Sequence, residues 1–78
     1  MPRYHFHVDS SAGVSGDVDG RDLSDDASAI QEAGSCAGEV LMDELTSGVE
    51  SPQVIVTVER GDGTKMATVR ANAEIEVH

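Results

Sequence analysis

Apolar and polar residues alternate strictly over residues 3 to 9. Tyr4, Phe6 and Val8 fall on one side, and Arg3, His5, His7 and Asp9 on the other. Side chains along an extended chain point to opposite faces with period 2, so this pattern predicts a half-buried strand with its two aromatic rings in the core. The alternation stops at Ser10. Residues 10 to 20, SSAGVSGDVDG, are small, polar and glycine-rich, which reads as a loop or a loose hairpin connection. Arg21-Asp22-Leu23 follows as a short returning strand or an extended lead into the next element.

The period then changes. Ala27, Ile30, Ala33, Ala37, Val40, Leu41 and Leu45 recur at steps of three and four, the mark of an amphipathic helix. Ser24-Asp25-Asp26 offers oxygens to cap the first backbone N–H groups, and its acids suit the positive end of the helix dipole. Gly48 is placed to end the helix in the left-handed conformation. The predicted helix spans about 26–47. After the break at Ser51-Pro52, the run Gln53 to Glu59 is a strand with Val54, Val56 and Val58 on one face. Gly61-Asp62-Gly63 is a turn. Residues 64 to 70 form the partner strand, with Met66 and Thr68 opposite Ala67 and Val69. The tail through Ala73, Ile75 and Val77 reads as one more short strand or a frayed end. These elements predict a single α+β domain over residues 1–78. Its architecture is a small two-layer sandwich, a mostly antiparallel sheet of 3–4 strands in the order β-(β)-α-β-β, with the helix on one face.

Composition sharpens the picture. The 78 residues are 38% apolar and 26% charged, as expected of a globular chain. Such a short chain supplies a net stability of only about 3–5 kcal/mol from its core. Tyr4 and Phe6 are the only aromatics and tryptophan is absent, so self-association is the simplest way to add buried surface. The single cysteine, Cys36, excludes an internal disulfide and a cysteine-only zinc site, and fits a reducing cytoplasm. No apolar run approaches the length of a membrane span, and no secretory leader is recognisable. Fifteen acidic residues against five basic ones give a net charge of −10. The cations are scattered, which argues against direct binding to nucleic acid.

Three features invite chemistry. His5 and His7 project from one strand face and are weak candidates for a zinc or nickel site, with Asp9 and His78 as further ligands. Strand alternation accounts for the pair without a metal. Asp17 and Asp19, followed by Gly20, Asp22 and Asp26, invite comparison with the calcium loop of the EF-hand. Ser15 stands where that loop needs its first acid, however, Asp26 replaces its bidentate glutamate, and no helix precedes it. A solvated loop with helix caps is the better account. Gly34 and Gly38, inside the helix, suggest close approach to the sheet or to a second copy. No phosphate loop, nucleophile elbow or HExxH motif is present, and no cofactor is expected.

The segments MPRYHFHV, DVDGRDLSD, ASAIQEA and ERGDGTKM, in that order, carry a resemblance. The chain is similar to a family of short uncharacterised bacterial proteins, mostly alphaproteobacterial, that open Met-Pro-Arg-Tyr-x-Phe-His. The most specific match is Pro2-Arg3-Tyr4 with Phe6-His7. The resemblance implies a fold and a bacterial cytoplasmic home but no activity. It directs attention to Arg3 and His7, and with them His5, as a candidate partner-binding face. The expected function is that of a small acidic binding or regulatory protein that self-associates or binds a protein partner, rather than an enzyme. The alternatives are an acidic nucleic-acid mimic that sequesters a basic protein and, behind it, a metal-dependent enzyme.

Overall fold

Among the described residues, five strands and one helix arise from this pattern. The structure is a computed structural model, and it describes residues 2–11, 13–16, 20–76 and 78. In chain order the elements are β1 (Arg3–Ser10), β2 (Gly13–Gly16), β3 (Arg21–Asp22), α1 (Asp26–Thr46), β4 (Gln53–Arg60) and β5 (Lys65–Asn72). The fold is α+β, with one helix packed on an open antiparallel sheet ordered β2-β1-β4-β5. The short strand β3 also pairs with β1, at Arg3 and Tyr4, while β2 pairs with His7 through Ser10. Strand β4 fills the other side of β1. The outer edge of β1 is therefore occupied by β2 and β3 end to end. At the opposite end of the sheet, β5 pairs only with β4 among the described residues.

The period-2 reading of the opening strand holds. Tyr4 and Phe6 are 2% and 4% exposed, and Val54, Val56 and Val58 are fully buried beside them. The glycine-rich segment contributes β2, so of the two readings, a loop or a loose hairpin connection, the hairpin is the one that forms. From Ala73 to Glu76 the tail is neither a regular strand nor a frayed end, and Val77 lies outside the described residues. The Ala73 and Ile75 N–H groups donate to the carbonyls of Pro52 and Glu50, at 3.2 and 3.1 Å.

The helix begins as its sequence requires. Asp25 is the N-cap, its carboxylate accepting from the Ser28 N–H at 2.8 Å. It ends at Gly48, whose φ of +94° is cheap only for glycine. There the Val49 N–H reaches back to the Glu44 carbonyl at 3.0 Å, which satisfies an orphan acceptor of the last turn. The buried face, however, is rotated from the predicted one. Ala29, Ala33 and Ala37 meet the sheet, with Val40, Leu41 and Cys36 half-buried around them. Ala27 is exposed, and Ile30 is 46% exposed. Small residues at the centre let α1 lie close to the three valines of β4. Gly34 and Gly38 play no part in that approach, because a Cβ built on either would meet nothing within 4 Å. A register shift at Val58/Glu59 places Lys65 opposite Glu59 and leaves Met66 unpaired. Met66, expected on the opposite face, consequently packs on the core together with Ala67 and Val69.

Candidate functional site

With α1 on one side, the other side of the sheet carries no further element among the described residues. The strand registers set its side chains in rows. His5, Glu59 and Lys65 form one row, His7, Thr57 and Thr68 the next, and Asp9, Ile55 and Arg70 a third. Glu59 stands beside Lys65, and Asp9 shares its row with Arg70, so the face is close to charge balance although the chain as a whole is strongly acidic.

The three residues singled out in the sequence all lie here. The Arg3 guanidinium holds Asp22 of β3 at 3.2 Å, and this keeps the Asp22 carboxyl below the ordinary aspartate range. His7 reaches diagonally across to β4, its Nε2 lying 2.6 Å from Glu59 Oε1. The other edge of the ring rests on β2, where a Cβ on Gly16 would fall 2.8 Å from His7 Nδ1. Gly20 plays the same part for the start of the strand. Its φ is +77°, and a Cβ there would come within 2.9 Å of the Tyr4 carbonyl oxygen and 3.1 Å of the His5 ring. The glycines of the connection thus fit the chain against its histidines. The sequence signals loop at these positions, and only the hairpin register reveals what they face.

The expected ligands do not converge. Among the described residues no group of three or more histidine, cysteine, aspartate or glutamate side chains is placed to hold a metal ion. His78 pairs instead with Glu76 in the tail, at 3.7 Å. Asp17 and Asp19 lie outside the described residues. Asp22 and Asp26, which the calcium-loop comparison would bring to one ion, are engaged separately by Arg3 and by Arg60.

Two arrangements were not visible in the sequence. In the first, the Tyr4 hydroxyl donates to Asp26 Oδ1 at 2.7 Å, and Arg60 Nη2 donates to Asp26 Oδ2 at 2.8 Å. The Tyr4 bond, and then Arg60, lower the Asp26 pKa, and the same Asp26 bond, aided by burial, raises that of Tyr4. The clamp ties β1, the first turn of α1 and the end of β4 together, beside a shallow cleft that also includes Pro2, Arg3 and Asp62. Both Asp26 oxygens and the phenol are engaged, which makes this a structural clasp. In the second, Glu44 is buried near the end of α1. Its Oε1 accepts from the Ser11 N–H at 3.0 Å and the Ser11 hydroxyl at 2.8 Å. Its Oε2 is buried with no hydrogen-bond partner among the described residues.

No helix among the described residues is long and apolar enough to cross a membrane. Comparison with curated proteins and with solved structures finds no match. A family model does match, over residues 3–72, which spans every strand of the sheet and the whole of the helix. The chain therefore belongs to the family described as a domain of unknown function, DUF6894.

Proposed function

We propose that this chain is a small, non-catalytic binding protein that self-associates and presents the open face of its sheet to a protein partner. The observation that carries the reading is the one-sided layering. The helix covers one face of the sheet, while Arg3, His5, His7, Ile55, Thr57, Glu59 and Arg70 lie on the other with no second layer among the described residues. A two-layer domain normally buries one face of its sheet and leaves the other to water or to a partner. The charge balance of this face favours a protein surface of mixed polarity over a polyanion. A bacterial cytoplasmic home belongs to the same proposal and rests on the opening motif and the lone cysteine.

Acidic mimicry is less well supported. It requires carboxylates gathered on one surface. Here Glu32, Glu39 and Asp43 lie along the helix, Asp9 and Glu59 on the sheet, Asp62 in the turn, and Glu74 and Glu76 in the tail. Glu32 and Asp26 are moreover neutralised by Arg21 and Arg60.

The test is affinity capture from the native host with the wild-type chain and with an Arg3→Ala/His7→Ala variant. The reading expects a defined protein that co-purifies with the wild type and is lost with the variant. A protein retained equally by both would overturn the assignment of the face, and the absence of any specific protein would overturn the partner.

A further inference from the structure

The two long borders of the sheet are unlike each other. Beside β1 the core is closed. Tyr4 and Phe6 fill it, Leu23 packs against it, and the Arg21 guanidinium lies over the Phe6 ring at 5.3 Å while its Nη1 holds Glu32 at 2.8 Å. Beside β5 the core is only partly covered. Met66, Ala67, Val69 and Ala71 of β5, with Leu41 of α1, are half-buried there. The outer edge of β5 is also a run of eight residues with no neighbouring strand among the described residues.

The helix shows the same asymmetry. At 100° per residue, Glu32, Glu39 and Asp43 form one flank, and Ile30, Gly34, Leu41 and Leu45 the other, with Gly38 close by. Glu32 is bonded to Arg21 of β3, so the acidic flank faces β1. The apolar flank with the two glycines therefore overhangs the edge of β5. Charge follows the same division. Strand β5 carries Lys65 and Arg70 and no acid, within a chain of net charge −10. Both cations project into the open face, opposite Glu59 and Ile55, so they do not screen the backbone groups along the edge.

The geometry points to a two-fold dimer in which β5 pairs antiparallel with β5 of a second copy, and the two α1 helices pack side by side through Ile30, Gly34, Gly38, Leu41 and Leu45. This rests on the self-association part of the proposed function and gives it a surface. The dimensions agree. Helix α1 packs almost equally on β4 and β5, so its axis runs over the gap between them. Strands lie about 4.8 Å apart. Pairing across the β5 edge then sets the two helix axes roughly 10 Å apart, within helix-packing distance. Open space at Gly34 and Gly38 admits the side chains of the neighbouring helix. The edge is also where an acidic chain can meet itself with least repulsion. Pairing there would join two open faces into one broad binding surface.

Sedimentation of the full chain over a wide concentration range tests this, with Gly34→Gln and Gly38→Gln as variants. Both positions are exposed and meet nothing, so the monomer keeps its fold, and the circular dichroism spectrum verifies that. The wild type is expected to dimerise, each variant to weaken the dimer roughly 30-fold or more, and His7→Ala to leave it intact. In the wild type, hydrogen exchange of the β5 amides slows as concentration rises. A wild type that stays monomeric throughout overturns both the self-association and this interface. A dimer indifferent to both glutamine variants overturns this interface alone.

Discussion

At the scale of single residues, stability is tied to protonation at a few carboxylates. Asp26 is held below the ordinary aspartate range by Tyr4 and Arg60, Asp25 by the capped Ser28 N–H, and Asp62 by the Thr64 N–H. Each is harder to protonate folded than unfolded. Their stabilisation is complete above the unfolded value of about 3.9 and fades as pH falls through the lower folded values. Tyr4 runs the other way. Its raised pKa contributes stability that is complete below about pH 10 and is lost as pH rises through the folded value. Tyr4→Phe is expected to flatten the alkaline limb of a urea-unfolding series and to reduce the Asp26 share of the acid limb, while Asp25 and Asp62 keep theirs. Glu44 calls for a different test. A buried oxygen without a partner costs about 1–3 kcal/mol, and more when charged. Ser11→Ala removes one of the two hydrogen bonds that Glu44 Oε1 accepts, so it is expected to lower unfolding stability by about 1 kcal/mol in urea titrations. The Asp25 cap was legible because it is local, but the partners of Tyr4 and Glu44 were not. Tyr4 and Asp26 are 22 positions apart, and Ser11 and Glu44 33. Local pattern carries no information about which strand end meets which helix turn.

At the scale of elements, the chain announces itself clearly wherever one face is buried. The strands β1 and β4 follow from their alternation because a shift of one residue would turn every core side chain to solvent. The helix ends follow from Asp25 and Gly48 because capping is local chemistry. The rotation of α1 was not legible. Its buried stripe is alanine, and hydrophobic periodicity gives more weight to the larger Ile30, which sits on the flank above the β5 edge. The short strands β2 and β3 were equally faint, since they are defined by pairing with β1 rather than by their own residues. The glycines of the helix supply a paired prediction. Gly34 and Gly48 both face open space, so alanine at either changes only backbone terms. Gly34→Ala, in a helix interior, is expected to stabilise the monomer by about 1 kcal/mol. Gly48→Ala, at φ +94°, is expected to destabilise it by about 1–2 kcal/mol. Urea unfolding at dilute concentration, where only the monomer is present, measures both.

At the scale of the whole molecule, the question is how a core built on two aromatic rings, three alanines and three valines suffices. The accessible surface is 5070 Å². A folded monomer of 8.2 kDa is expected to expose roughly 4,500 Å². The radius of gyration, 13.5 Å, likewise exceeds the roughly 11.5 Å of a compact chain of this length. Covering the β5 border with a second copy adds apolar burial where the monomer lacks it, so folding and association are linked by mass action. Thermal unfolding is then expected to shift to higher temperature as protein concentration rises, and the shift is expected to vanish in Gly38→Gln. Salt should act in the same direction. Two chains of net charge −10 repel at low ionic strength, and the Debye length falls from about 30 Å at 0.01 M to about 8 Å at 0.15 M. Raising salt over that range should strengthen the concentration dependence, because screening relieves repulsion between copies while the apolar border and the backbone pairing are little affected. A midpoint that responds to salt but not to concentration would assign the electrostatic effect to folding of the monomer alone, and the open border of β5 would then have to be stable in water by itself.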